Sequence, residues 1–246
     1  MSGIMRAIQR SVVGTWRGRV LLMGFVAGAF VAACTTNSSA APIPGLQSSG
    51  NGSPGSPDPV WQIVFDPSGG TVPRAATIIS PLDGAPPFFW YGTEGTSLPA
   101  DANWIGINAG ANAYPGAPDG IYQYQLQFDL TGYDPSTASF VYQTAADNNV
   151  TNATLNGNSI AIDTRVSTNG AQFNSLSSNL TVSSGFAPGI NTLIFSVDND
   201  TPDPSPAGFL FILDSSSVTA VPEPSSIALV GLGLLGVAGM IRRCKT

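Results

Sequence analysis

The chain has 246 residues, of which 43% are hydrophobic and 10% are charged, and its formal net charge is −6. It contains no histidine, which excludes Ser-His-Asp and Cys-His nucleophilic pairs and imidazole metal ligands. Between Asp58 and Thr219, two arginines stand against fourteen carboxylates, a formal charge of −12. This part therefore lacks the basic surface that nucleic acid and anionic membranes require of a partner.

Residues 1–40 have the layout of a secretory signal peptide, because four arginines precede the uncharged stretch 20–33. Two alternative cleavage sites fit this segment. Val31-Ala32-Ala33-Cys34 resembles a bacterial lipobox, in which Cys34 would be lipidated and become the mature N-terminus. Small residues at Ser38 and Ala40 instead suit signal peptidase I, which would cut before Ala41. Either site predicts export.

Residues 41–59 are rich in Ser, Gly and Pro, a composition that predicts a flexible linker between the signal peptide and a domain at 60–219. The two cysteines, Cys34 and Cys244, lie in the terminal segments. The domain therefore contains no disulfide, although it is exported to a compartment where one could form.

Beyond residue 60 the sequence consists of short strand patterns separated by turn residues. Every second position from Tyr122 to Leu130 is apolar, which predicts a strand with one buried face. Asn156-Gly157 is a two-residue hairpin signal. Further strands are predicted at 140–144, 190–197 and 209–213, and the last is a continuous apolar run typical of a strand buried on both faces. The pattern predicts an all-β fold, a β-sandwich or jelly roll, flanked by an N-terminal signal helix and a C-terminal hydrophobic sorting helix.

Five short elements of the second half resemble galactose-binding-like jelly rolls. They occur in the order 124–130, 146–149, 155–158, 189–197 and 207–209, so the resemblance covers residues 120–218. It implies an accessory domain of the kind found beside many glycosidases and surface proteins. That superfamily uses one fold for carbohydrate, lipid and protein contacts, so the fold does not determine the function.

Carbohydrate contact is the binding function that the residue types favour. Sugars dock on exposed aromatic faces flanked by planar polar side chains. The candidates, from turn-rich segments, are Trp90, Tyr91, Trp104, Tyr114, Asp147, Asn148 and Asn149. The alternative for the aromatic residues is a place in the core, where the aromatics of a β-sandwich usually lie.

No cofactor is expected, and the acidity is explained mainly by solubility outside the cell. If a cation does bind, calcium in a structural role suits an acidic, oxygen-rich domain. The candidate ligands are Asp198, Asn199 and Asp200, with Asp203 nearby. The alternative interpretation of this segment is a solvated loop.

Catalysis is not expected. A carboxylate pair of the glycosidase type is the remote alternative, because fourteen acids allow many pairs. However, most of the aspartates adjoin Pro, Gly or Asn, where their side chains bond nearby backbone amides in turns.

The C-terminal 26 residues have three parts: Val221-Pro222-Glu223-Pro224, an apolar run at 225–241, and the basic pair Arg242 and Arg243. Because the fifteen residues 227–241 would rise about 22 Å as a helix, less than the ~30 Å hydrocarbon core, they predict a marginal transmembrane helix. The basic pair should stay on the cytoplasmic side.

This layout resembles the PEP-CTERM sorting signal of exported bacterial proteins. The resemblance implies that an exosortase, a membrane-embedded protease, recognises the signal, removes the tail and releases the protein to the surface or exopolysaccharide matrix of a Gram-negative cell. The alternative is a tail anchor that is never cut. The sequence thus predicts an exported, non-catalytic protein that contacts extracellular polysaccharide, or else a structural or adhesion protein without sugar specificity.

Overall fold

The computed structural model describes residues 39–79, 90–92, 97–108, 116–164, 172–200, 205–221, 231 and 233. The chain divides into two compact units, Met1–Asn37 and Ser38–Thr246, and the described residues belong to the second. Residues 1–38 of the predicted signal peptide, with Cys34, lie outside the described residues, as do Tyr114, Asp203 and the sorting residues Pro222, Glu223, Pro224, Arg242 and Arg243.

The described part of the chain is built from antiparallel strands, as the sequence predicts. The strands are β1 (Ala40–Ala41), β2 (Pro57–Phe65), β3 (Arg74–Ile78), β4 (Ile105–Gly106), β5 (Gly120–Asp129), β6 (Tyr133–Asp147), β7 (Asn149–Leu155), β8 (Asn158–Ser159), β9 (Leu180–Val182), β10 (Ile190–Asn199) and β11 (Gly208–Ala220).

These strands form one curled sheet in the order β8-β7-β10-β5-β2-β3-β4-β11-β6-β9, with β1 added beside β11. The short strands β3 and β4 connect a half centred on β5 and β10 to a half centred on β6 and β11. Aromatic contacts join the two halves: Trp61 of β2 lies 5.2 Å from Phe211 of β11, between ring centroids, and Phe195 of β10 lies 5.7 Å from Tyr142 of β6. The curled sheet therefore encloses its core between two layers, as in a β-sandwich.

The predicted strand patterns are confirmed in their burial. From Tyr122 to Phe128 of β5 every second side chain is buried, whereas the intervening Gln123, Gln125 and Gln127 reach the outer surface. Phe209–Ile212 of β11 is buried without a break, because this strand has a core on both of its faces. The hairpin at Asn156-Gly157 also forms, with positive φ angles of 53° and 79° at the two residues.

The prediction of a flexible linker at 41–59 is wrong. Ile43 and Leu46 are buried in the main core, and Ala40 and Ala41 pair with Thr219 and Val218 of β11. The buried hydroxyl of Ser49 accepts a hydrogen bond of 2.9 Å from the amide of Phe211. Ser and Gly are frequent here because the segment runs close to the backbone of β11. Small side chains allow this approach, and serine hydroxyls accept hydrogen bonds from backbone amides at the edge of β11.

A second, smaller core covers the outer face of β6 and β11. Ala145, Leu210 and Ile212 supply its floor, and Trp90 and Trp104 cover them, together with Ile79 and Ala102. The half of the sheet around β6 and β11 is thus covered on both sides, whereas the outer face around β5 and β10 carries polar side chains. This difference decides where a ligand could reach the sheet.

Candidate functional site

The two tryptophans predicted to bind sugar are structural. Trp90 is 1% exposed and Trp104 is fully buried, with their ring centroids 4.2 Å apart. The indole N–H of Trp104 donates to the carbonyl of Tyr91 at 2.9 Å. The prediction that these rings offer exposed faces is therefore wrong: they fill the second core, where burial of such large apolar surfaces contributes most to folding.

Asp147 lies beneath Trp90 instead of in an open site. The indole N–H of Trp90 donates to Asp147 Oδ2 at 2.9 Å, and Asp147 is 5% exposed. Burial raises the pKa of the Asp147 carboxyl to about 7, and the hydrogen bond from Trp90 offsets only part of this shift. Gly208, paired with Asp147 across the sheet, leaves room for the indole, since a Cβ there would lie 2.5 Å from Trp90 Cη2.

The neighbouring asparagines tie strand ends together. Asn148 follows a cis peptide bond, and its side-chain Oδ1 accepts a hydrogen bond of 3.0 Å from the amide of Asp200. Asn149 begins β7 and pairs with Asp198 of β10. Tyr91 is half-buried, and its amide donates to the carbonyl of Phe173 at 2.7 Å. The structure thus brings Trp90, Tyr91, Trp104 and Asp147 together, in a packed cluster.

The candidate calcium ligands lie where β10 ends. Asn199 is fully buried: its Nδ2 donates to the carbonyls of Ala117 and Pro118, and its Oδ1 accepts from Ser205 Oγ at 2.9 Å. Asn199 therefore joins two connecting segments and does not face an open site. Its position does not support the prediction that it is a ligand.

Asp198 and Asp200 are more accessible than Asn199. Burial, followed by the nearby carboxylates of Asp200 and Asp119, raises the pKa of Asp198. Among the described residues, no group of three or more acidic, histidine or cysteine side chains is arranged to hold a metal ion. A calcium site at Asp198 and Asp200 stays a prediction.

Four other aspartates accept hydrogen bonds from nearby backbone amides. Asp58 Oδ1 accepts from the amides of Val60 and Trp61, and its Oδ2 accepts from Gly50 at 2.7 Å. Asp66, Asp129 and Asp134 each accept the amide two residues further along the chain. These carboxylates have the role in turns that the sequence predicted for them.

The accessible aromatic residue is one that the sequence pattern did not single out. Phe65, at the end of β2, is 51% exposed and is the only aromatic side chain of the described residues that is largely exposed. Regular alternation after the buried Ile63 would turn Phe65 inward. However, the pairing of β2 with β5 shifts by one residue between Ile63 and Phe65, so Phe65 lies opposite Gln123 on the outer surface.

Phe65 belongs to a row of side chains that crosses four strands. It pairs with Gln123 of β5, Gln123 pairs with Ser196 of β10, and Ser196 pairs with Asn152 of β7. Gln123 Nε2 donates to Ser196 Oγ at 3.3 Å, which orients the amide towards β10. With strands about 4.8 Å apart, the row spans about 14 Å. A second row lies next to it: Gln62, Gln125, Ile194 and Thr154. We call these eight residues the outer amide face.

The comparisons with known proteins add one finding at the C-terminus. The PEP-CTERM protein-sorting motif matches residues 220–243. No curated protein and no solved structure matches the chain significantly, so the resemblance to galactose-binding-like jelly rolls stays a prediction. In the part of the chain that the structure describes, no helix has the length and apolar character needed to cross a membrane.

The sorting motif follows the last strand directly. β11 ends at Ala220, and the amide of Val221 donates to the carbonyl of Gly132 at 2.8 Å, one residue before Pro222. Val221 itself is 51% exposed. The chain is therefore an exported protein with a folded all-β domain, and its C-terminal motif marks it for sorting by an exosortase at the membrane.

Proposed function

We propose that the domain is a non-catalytic module that contacts extracellular polysaccharide through the outer amide face, at the cell surface or in the matrix of a Gram-negative bacterium. The observation that supports this most directly is the exposed ring of Phe65 on the outer surface, where Phe65 pairs with Gln123 of β5. A sugar presents C–H groups on one side, which pack on an aromatic ring, and hydroxyl groups at its rim. Amide side chains both donate and accept hydrogen bonds, as hydroxyls do.

The roles of the carboxylates support a non-catalytic function. Asp58, Asp66, Asp129 and Asp134 hold turns, and Asp147 is covered by Trp90. None of these five offers a free carboxylate next to Phe65 that could act as an acid or nucleophile on a bound glycoside. Binding alone is therefore the activity that the outer amide face favours.

A glycan array tests this proposal. The full chain, kept in a non-ionic detergent because of its apolar C-terminal run, is compared with Phe65→Ala and with Ile190→Ala. Ile190 is 59% exposed at the other end of the same sheet, so its variant removes apolar surface away from the outer amide face. We expect saturable binding that weakens at least tenfold, about 1.4 kcal/mol, in Phe65→Ala only. No binding by the wild type, or equal losses in both variants, contradicts the proposal.

The sorting step has its own test. We propose that the mature protein lacks the basic pair Arg242 and Arg243, because an exosortase removes the tail. Intact-mass measurement of the protein from the surface of producing cells reports both processed ends and any lipid on Cys34. A mass that still includes residues 242–246 contradicts removal of the tail.

A further inference from the structure

The outer amide face is uncharged. Its eight residues carry amides, hydroxyls, one aromatic ring and one aliphatic side chain, although the domain as a whole carries a formal charge of −12. Acidic residues lie beyond both ends of the face. On β5 and β10 these are Asp129, opposite Ile190, and Asp198, opposite Ile121, and Asp198 has Asp119 and Asp200 nearby.

Among the residues that the structure describes, no cation compensates for these carboxylates at the face. Arg74, the only basic residue in the described ranges, pairs with Ile63 on the neighbouring strand. Its guanidinium is already engaged: Nη2 lies 2.5 Å from Asp66 Oδ2, and Nη1 donates to the carbonyl of Thr71 at 3.0 Å. Arg74 is therefore not free to bind an anionic ligand.

Resting on the proposed function, we infer that the ligand of the outer amide face is a neutral polysaccharide, without carboxylate, sulfate or phosphate groups. A polymer with a charge on every sugar would need cations, and it would instead lie between acidic side chains. At physiological ionic strength charges act over about 8 Å, and Asp198 lies two residues, about 7 Å, along β10 from Ser196, so it repels such a polymer where the row crosses β10. A neutral chain pays no such penalty, and its hydroxyls match the amides in donors and acceptors.

The positions of these residues also set the direction in which a bound polysaccharide would run. The row from Phe65 to Asn152 runs across four strands, perpendicular to them, whereas the carboxylates lie further along the strands. A polymer that follows the row contacts the ring and the amides in succession and stays far from Asp129, which lies six residues along β5 from Gln123. A polymer that runs along β5 would approach Asp129.

The test uses polymers that differ only in charge. Polygalacturonate and alginate are compared with their carboxyl-reduced forms, alongside dextran and galactomannan, by native affinity electrophoresis of the full chain in non-ionic detergent. We expect retardation by at least one neutral polymer, a tenfold loss of that affinity in Phe65→Ala, and no retardation by the parent uronates with or without added calcium. Gln125→Lys, which places a cation on the face, should gain affinity for polygalacturonate that falls as salt is raised.

The outcomes separate this inference from the proposed function. Retardation by a uronate as strong as by its reduced form, with loss in Phe65→Ala, overturns the neutral ligand and leaves carbohydrate binding intact. If Gln125→Lys gains no affinity for polygalacturonate, charge does not exclude anionic polymers from the face, and the neutral ligand is also overturned. No retardation by any polymer of either class overturns both.

Discussion

Trp90 Nε1 donates a hydrogen bond of 2.9 Å to Asp147 Oδ2, and this pair connects the smaller core to the end of β6. The indole also packs against Trp104 at an interplanar angle of 35°, and a Cβ at position 208 would touch it. A buried carboxyl with one indole partner stabilises this arrangement best when it is protonated.

The pH dependence of stability should reveal Asp147. The pKa of this carboxyl is about 7 in the folded protein and 3.8 as its ordinary value, so its contribution is complete below pH 4 and is lost as pH rises through about 7. Asp147→Asn keeps an acceptor for Trp90 and removes the charge. We expect this variant to exceed the wild type in unfolding free energy at pH 8, on the order of 2–4 kcal/mol, and to match it at pH 4.

Denaturant unfolding at the two pH values measures this difference. Asp214→Asn, at an exposed carboxyl of β11, changes the net charge equally and serves as the control. An equal effect of the two substitutions, or an Asp147→Asn variant that is less stable than the wild type at pH 8, would show that Asp147 is not the titrating group.

The contact between Gly208 and Trp90 predicts an interaction between two substitutions. A methyl group at position 208 would lie 2.5 Å from Trp90 Cη2, so Gly208→Ala should destabilise the domain by about 1–3 kcal/mol. Trp90→Phe removes the ring atoms that clash. In a double-mutant cycle, therefore, Gly208→Ala should cost at least 1 kcal/mol less in the Trp90→Phe background. Additive effects would mean that the steric contact does not cause the loss.

The ion pair of Arg74 and Asp66 predicts sensitivity to acid. Burial by itself raises the pKa of Asp66, but hydrogen bonds from Ser68 and Arg74 outweigh it and hold the pKa below its ordinary value. The stability that this carboxylate contributes is therefore present above the unfolded pKa and is lost as pH falls through the folded pKa.

Arg74→Ala should lower the unfolding free energy by about 1.5–3 kcal/mol at pH 7, because Asp66 stays buried without its charged donor. The loss should shrink at pH 2. Arg74→Lys keeps the charge but cannot reach Asp66 and the Thr71 carbonyl together, so it should restore only part of the stability. If Arg74→Lys were as stable as the wild type, the positive charge alone would explain the stabilisation by Arg74, without the second hydrogen bond.

Asn156 and Asn191 form a network that predicts a graded series. Asn156 Nδ2 donates to Asn191 Oδ1 at 2.7 Å, and Asn191 Nδ2 donates to the carbonyls of Ala187 and Gly189. Asn156 also has a φ of 53°, which Gly adopts without strain. Thermal unfolding should therefore rank wild type above Asn156→Gly, which loses hydrogen bonds, and Asn156→Gly above Asn156→Ala, which adds backbone strain. If Asn156→Ala unfolded at a higher temperature than Asn156→Gly, the positive φ angle at position 156 would not be a source of strain.

The strands could be predicted because their information is local. Alternation from Tyr122 to Leu130, the apolar run 209–213 and the turn at Asn156-Gly157 each report which face of the chain is buried. Such patterns can be recognised within one segment of the sequence, whichever strand lies beside it in the sheet. The all-β fold follows from them.

The candidate site could not be predicted in the same way, because it depends on contacts between distant segments. Phe65 is exposed only because the pairing with β5 shifts by one residue, and nothing within β2 signals that shift. Trp90 and Trp104 occur among turn residues, yet both pack against side chains of β6 and β11 and are buried. The segment at 41–49 has the composition of a linker, but the edge of β11 gives it a partner.

The pairing of Ala40 with Thr219 places the two ends of the folded unit side by side. A short loop joining Val221 to Ser39 would therefore close the chain into a ring without moving a strand. New ends could open at Gly157, an exposed hairpin tip with open space around it. Such a circular permutant should fold with the same sheet. The unit inserted whole into a surface loop of a host protein should also fold, and it would display the ring of Phe65 on that host.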